Sequence, residues 1–208
     1  MIYQLTAAIL MPFTMFIIKS ISGLDNVPKK GAFILASNHC SYLDVIIPVI
    51  FAKYFKRKVH YLGKEKLFES WLGNKFYTAC GLILLDREKG VKTALKTALK
   101  SLKEGNVIGI FPEGGRSRDG RLQRGKTGVA RLALAARVPV VPVGLIGTFD
   151  LMPPGRVIPK FKKKVKMNFG KPLHFDKYYG KKNKVIFRKA TTTVMEKIAE
   201  LSKQKYFN

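Results

Sequence analysis

Gly31-Ala32-Phe33-Ile34-Leu35-Ala36-Ser37-Asn38-His39-Cys40-Ser41-Tyr42-Leu43-Asp44 decides how the rest of this chain reads. Its first half, GAFILAS, is a short apolar run opened by glycine and closed by polar residues. That pattern predicts a strand buried on both faces, as in the interior of a parallel sheet. The apolar stretch from Leu43 to Tyr54 predicts a helix, and Ser41-x-x-Asp44 at its entrance has the spacing of a capping box with Asp44 at the third helical position. Between strand and helix lies His39, at the carboxyl end of a buried strand, where α/β folds place their ligand sites. A carboxylate fixed in the first turn of the helix can reach back to the imidazole and set its tautomer. The other ring nitrogen is then left as a general base. The remaining histidines are read as structural or surface residues: His60 lies inside RKVHYLG and His174 among lysines.

Outward from this stretch, short apolar runs alternate with helical patterns. Arg57 to Leu62 predicts a strand, Leu67 to Thr78 a helix and Leu82 to Leu85 a strand. In VKTALKTALKSLKEG, apolar residues at Val91, Ala94, Leu95, Ala98, Leu99 and Leu102 mark one helix face and lysines the other. Gly105 stops that helix. Val107 to Phe111 predicts a strand, Lys126 to Ala136 a helix, Lys162 to Phe169 a strand and Lys184 to Lys203 the last helix. Val138 to Ile146 is rich in β-branched residues. Pro139 and Pro142 each remove a ladder donor, so this run predicts an edge or bulged strand. The alternation predicts an α/β fold, a mixed and largely parallel sheet flanked by helices, forming one domain over residues 23–208.

The first 18 residues, MIYQLTAAILMPFTMFII, carry no charge. As a helix they extend about 27 Å at about 1.5 Å per residue, against about 30 Å for the hydrocarbon core of a bilayer. Residues 1–22 therefore read as an apolar membrane-associating helix lodged in one leaflet, with Lys19, Lys29 and Lys30 at the headgroups. Across the 208 residues, 39 Lys plus Arg face 13 Asp plus Glu, a net charge of +26. With 47% hydrophobic residues the chain is no disordered polybasic tail, and the charge calls for an anionic partner. The two cysteines, Cys40 and Cys80, form no C-x-x-C and no Cys/His cluster, so neither a disulfide framework nor a metal site is expected.

Two further groups of residues carry chemistry. Phe111-Pro112-Glu113-Gly114-Gly115-Arg116-Ser117 follows an apolar strand: its glycines let backbone approach a ligand, Arg116 can grip a phosphate in bidentate fashion and Glu113 can accept from a hydroxyl. Gly81 to Arg87 is a strand delivering Arg87 at its end, and Lys64 follows the strand before it.

The order Asn38-His39-x-x-x-x-Asp44, Gly81 to Arg87, Phe111 to Ser117 and Val138 to Val143 resembles the four-motif pattern of the glycerolipid acyltransferases, most of all the bacterial 1-acylglycerol-3-phosphate acyltransferases. The resemblance covers the chain after about Gly23. It implies His39 as catalytic base and Asp44 as its charge partner. It implies Lys64, Arg87, Glu113, Gly114 and Arg116 as substrate-binding residues on the glycerol phosphate side. Gly115 stands where the family usually has threonine, and Leu84-Leu85 where it commonly has Phe-Ile.

The activity implied is acyl transfer from acyl-CoA or acyl carrier protein to the sn-2 hydroxyl of lysophosphatidic acid, with no cofactor. An alcohol needs a positioned base near neutral pH, and imidazole as a class, titrating near about 6.5, suits that task. The expected partners are the lipid acceptor, the acyl donor and an anionic phospholipid membrane, on the cytoplasmic face. The nearer alternative is an acyltransferase of the same family acting on another lyso-acceptor or on glycerol 3-phosphate; a basic nucleic-acid-binding protein is the rival from another class. It leaves the uncharged N-terminus unexplained and finds no recognised motif in the chain.

Overall fold

The computed structural model describes residues 2–64, 82–85, 90–156, 158–160, 162, 164–181 and 183–206. The expected helix from Leu67 to Thr78, Cys80 and Arg87 lie outside the described residues, and of Lys64 only the backbone is described. The strands are β1 (Ile18–Ser22), β2 (Phe33–Ser37), β3 (Val59–Lys64), β4 (Leu82–Leu85), β5 (Val107–Ile110), β6 (Val140–Ile146) and β7 (Val165–Phe169). They form one sheet in the order β1-β7-β6-β2-β5-β3-β4. Every neighbouring pair is parallel except β6 with β7. The helices are α1 (Ile2–Ile17), α2 (Ile46–Phe55), α3 (Gly90–Lys103), α4 (Gly128–Ala136), the single turn α5 (Thr148–Leu151) and α6 (Lys184–Ser202).

β2 is central, and all five of its residues are buried. Alternate side chains of a strand point to opposite faces, so its run of apolar residues feeds two cores. Phe33 and Leu35 join Ile17, Ile47, Ile50, Phe51, Val143 and Met167 on the side of α1 and α2. Ile34 and Ala36 join Ala98, Leu102, Val129, Leu132, Val194 and Ile198 on the side of α3, α4 and α6. Each large side chain buried this way contributes about 1.5–3 kcal/mol.

Two expectations need correction. The N-terminal helix ends at Ile17, and residues 18–22 are the edge strand β1, in parallel register with β7. The exposed Lys19, Ser20 and Ser22 hide the strand from a hydropathy reading. The second correction concerns β6, which lies inside the sheet between β2 and β7 despite its prolines. Pro139 precedes the strand, and its carbonyl still accepts from the Ile34 N–H at 3.0 Å. Pro142 sits at the last rung toward β7, where its carbonyl accepts from the Gly170 N–H at 2.9 Å. Only the donor half of that terminal rung is missing, so the interior position costs a single hydrogen bond.

α6 packs on β6 by close approach of backbone to backbone. A Cβ added at Gly144 would lie 2.2 Å from the carbonyl carbon of Leu201 and 2.4 Å from the Ser202 nitrogen. Gly144→Ala must push the end of α6 off the sheet. It is expected to lower unfolding stability by about 2–3 kcal/mol, read from chemical denaturation.

α1 packs against α2, and the Tyr3 hydroxyl donates to the Pro48 carbonyl at 2.9 Å. Its other side leaves Leu5, Ile9 and Phe16 more than half exposed. Among the described residues no helix is long and apolar enough to cross a membrane.

Candidate active site

β2 and β5 are parallel neighbours, so the loops leaving their carboxyl ends lie side by side. The backbone couples them directly: the Ser117 N–H donates to the His39 carbonyl at 2.8 Å. His39 and the Phe111 to Ser117 segment, 72 or more positions apart in sequence, thus form one surface.

After β2, Asn38 turns its side chain into the sheet. Its amide donates to the Leu145 carbonyl at 2.9 Å and its oxygen accepts from the Leu145 N–H at 2.8 Å, imitating one more rung of the ladder. The chain then enters a short 3₁₀ turn, Tyr42–Val45, through the expected capping box. The Ser41 hydroxyl accepts from the Leu43 N–H at 3.0 Å, and Asp44 Oδ2 accepts from the N–H groups of Cys40 and Ser41, each at 2.9 Å. The same oxygen lies 2.6 Å from His39 Nδ1. Asp44 is buried at 1% side-chain exposure while His39 keeps 20%. The cap and the charge partner are one carboxylate. Its two backbone donors hold it still while it engages the imidazole through Nδ1, so that Nε2 is the ring nitrogen Asp44 leaves unengaged.

The ring is also held by its face. Phe111 stacks on His39 with centroids 3.9 Å apart and planes 14° apart, and Tyr61 stacks on Phe111 at 5.2 Å. Tyr61 can lie there because residue 109 is glycine: a Cβ would meet its ring at 2.2 Å.

Glu113 is buried, and both its oxygens are used on backbone donors of two segments. Oε1 accepts from the His39 N–H and Oε2 from the Gln123 N–H, each at 2.7 Å. It clamps the histidine loop to the Phe111 to Gly125 loop. Burial pushes its carboxyl up to about 7 from 4.5, outweighing the two hydrogen bonds that favour the ionised form. A folded pKa raised this way means that the folded chain holds a proton the unfolded chain releases. The stabilisation is complete below about pH 4.5 and is lost as pH rises through about 7. Glu113→Gln stays neutral and presents an amide N–H to one of the two backbone donors. It is expected to lower stability by about 1–3 kcal/mol and to flatten its pH dependence between about pH 5 and 7, measured by denaturant unfolding across that range.

Arg116 lies over the ring of Tyr42, its guanidinium carbon 3.6 Å from the centroid, and its Nη1 is buried with no hydrogen-bond partner. A guanidinium stacked on an aromatic face is held flat with its in-plane donors free for an oxyanion. Gly114 takes the left-handed conformation, φ 74°, with Lys126 drawn across it: a Cβ there would lie 2.8 Å from Nζ. No sequence pattern marks Lys126, Tyr42 or the Phe111 stack. Lys126 begins what reads as a plain helix, although α4 starts at Gly128 and leaves Lys126 in the loop.

Cys40 neighbours His39 but is not poised as a nucleophile. It is buried, and burial, with Asp44 nearby, pushes its thiol up to about 12, so it is not a thiolate at neutral pH. Among the described residues no group of three or more His, Cys, Asp or Glu converges as a metal site would require.

Residues 19–146 match the family model described as Acyltransferase. The chain belongs to this acyltransferase family. The acyltransferase is 32% identical over 179 residues to the 1-acyl-sn-glycerol-3-phosphate acyltransferase of Bacillus subtilis, covering 85% of this chain and 84% of that one. It is 31% identical to the chloroplastic 1-acyl-sn-glycerol-3-phosphate acyltransferase LPAT1 of Arabidopsis thaliana, over 85% of this chain and 48% of that longer one. Among solved structures it resembles the 1-acyl-sn-glycerophosphate (LPA) acyltransferase PlsC of Thermotoga maritima. The TM-score is 0.75 at 26% identity, over 99% of this chain and 80% of that one.

Proposed function

We propose that this acyltransferase moves an acyl group from acyl-CoA or acyl carrier protein to the sn-2 hydroxyl of 1-acylglycerol 3-phosphate, making phosphatidic acid. The observation that carries the reading is the 2.6 Å contact of His39 Nδ1 with the buried Asp44 carboxylate, which leaves Nε2 as the base. The names of the relatives support the acceptor. In the proposed step the acceptor hydroxyl oxygen attacks the thioester carbonyl while Nε2 takes its proton. Asp44 stabilises the imidazolium so formed. Collapse of the tetrahedral adduct breaks the carbon–sulfur bond, and the imidazolium returns the proton to the departing thiolate, giving an ester and a free thiol. Arg116, flat on Tyr42, would take the acceptor phosphate, with Lys126 nearby and Lys64 and Arg87 as the further cations.

The substrate is itself a membrane lipid, and the exposed Leu5, Ile9 and Phe16 of α1 suit a peripheral or monotopic seat on the cytoplasmic face of the cell membrane.

The test is a panel of lyso-acceptors with labelled oleoyl-CoA and with acyl carrier protein as donor. Product formed with lysophosphatidic acid, and not with uncharged or zwitterionic lyso-acceptors, is the expected result; turnover that ignores the phosphomonoester would overturn the acceptor. In the same assay Arg116→Ala should raise the acceptor KM about 10–100-fold and leave the donor KM unchanged, the effect of losing one charge-assisted contact.

A further inference from the structure

Behind the histidine loop lies a cavity of about 310 Å³ that the acyl-transfer reading does not use. Phe149, Asp150 and Pro153 form one wall, and Lys160, Lys162 and Lys164 the other. The first two lysines are drawn together by a tight turn, the Lys162 N–H donating to the Lys160 carbonyl at 3.0 Å. That backbone is anchored: the Lys160 N–H donates to the Leu151 carbonyl at 2.9 Å, and the Lys164 N–H to the Ile17 carbonyl at 3.0 Å. Asp150 pairs with Lys164 at 2.7 Å. Among the described residues Lys160 and Lys162 form no ion pair. Three ammonium groups against one carboxylate leave a surplus of two positive charges in the cavity.

We propose that this cavity binds a phosphomonoester, and that its source is the headgroup of an anionic lipid in the membrane on which the protein sits. The charge selects the chemistry: a phosphomonoester carries about −1.5 to −2 near pH 7, close to the surplus of the cavity, whereas a phosphodiester carries one negative charge. At about 30 Å³ of liquid volume per water, the space admits a phosphate with part of its glycerol or its hydration.

Position selects the source. Lys164 is tied by its backbone to Ile17, the last residue of α1, and the neighbouring Phe16 is 55% exposed. Ile158, two residues before Lys160, is 67% exposed. Exposed apolar side chains beside an open pocket of solvent-accessible lysines match the boundary between acyl chains and headgroups. The cavity is also coupled to the active site without sharing its residues. On α5, Thr148 contacts Cys40, with Oγ1 and Sγ 3.4 Å apart, and Phe149 packs so closely on Gly120 that a Cβ there would meet its ring at 2.9 Å. The Ser41 hydroxyl donates to the carbonyl of Met152, just after α5, at 2.7 Å. A lipid held in the cavity would bear on the segment that backs the histidine loop.

The test is flotation of the full chain with phosphatidylcholine vesicles carrying either phosphatidic acid, a phosphomonoester, or phosphatidylglycerol, a phosphodiester, at matched zeta potential. The parent chain should prefer phosphatidic acid by about tenfold. Lys160→Ala/Lys162→Ala should lose that preference. Lys92→Ala/Lys96→Ala, which removes the same charge from the exposed face of α3, should keep it. Retention of the preference by the cavity variant, or equal loss by both variants, would overturn the site. A third arm compares binding of CoA and dephospho-CoA. If the cavity variant loses that discrimination and keeps the phosphatidic acid preference, the phosphate belongs to the acyl donor and the lipid source is wrong. The flotation arms are run in the Arg116→Ala background, because phosphatidic acid is the product of the proposed reaction and the Arg116 site would otherwise add to the preference; none of the arms depends on turnover.

Discussion

Purified His39→Ala is expected to lose acyl transfer by about 10²–10⁴-fold while folding as the parent does. The two halves of this expectation rest on different atoms. The structural duties at position 39 belong to the backbone: its N–H donates to Glu113 and its carbonyl accepts from Ser117, and alanine keeps both. The side chain contributes the Asp44 contact and the Phe111 stack, and it is partly open to solvent. Asp44 retains its two backbone donors when the imidazole is gone, so no buried carboxylate is stranded. Release of free thiol from acyl-CoA in the presence of lysophosphatidic acid measures the loss, and circular dichroism with thermal unfolding checks the fold. Substantial turnover by this variant would remove His39 as the base. The thiol next to it offers no alternative route, since Cys40 is pushed up to about 12 by its burial.

Local features of the site were readable from sequence and long-range ones were not. The strand expected over Gly31 to Ser37 forms as Phe33–Ser37, and the capping box at Ser41 and Asp44 forms as read, because both depend on periodicity and on spacings of a few residues. The clamp by Glu113 joins residues 74 positions apart, and composition offers no sign that its oxygens face backbone N–H groups. The cation–π seat of Arg116 on Tyr42 is equally invisible, because an aromatic residue in HCSYLD reads as helix surface until the two loops are brought together. β6 misleads for a narrower reason. A proline removes a donor but keeps its acceptor, and at Pro142 the carbonyl still takes the Gly170 N–H, so the sheet loses half of one rung and holds the strand inside. β1 misleads because an edge strand with three exposed polar residues has neither apolar period. Asn38 carried a motif signal without its reason: its side chain continues the sheet at Leu145 and so aims the histidine loop.

Asp44→Asn should separate the two duties of the carboxylate. With its amide oxygen in the place of Oδ2, asparagine still accepts from Cys40 and Ser41 N–H and from the imidazole, so cap and tautomer survive. The negative charge does not. An imidazolium beside a neutral amide is no longer stabilised as it forms, and kcat is expected to fall about 10²–10⁴-fold with little change in acceptor KM. The substitution also turns Oδ1, which is buried and has no hydrogen-bond partner, into an amide N–H₂. A buried donor without a partner costs about 1–3 kcal/mol, so a modest drop in unfolding stability should accompany the loss of turnover. Asp44→Ala supplies the contrast, because it removes the cap as well. It should match the asparagine variant in kcat and fall further in stability, by about 0.5–2 kcal/mol. If Asp44 served only as a cap, asparagine would keep near-parental turnover and alanine would lose it through unfolding. Steady-state kinetics and denaturant unfolding on the same two variants therefore distinguish a charge that acts on the reaction from one that only closes a turn.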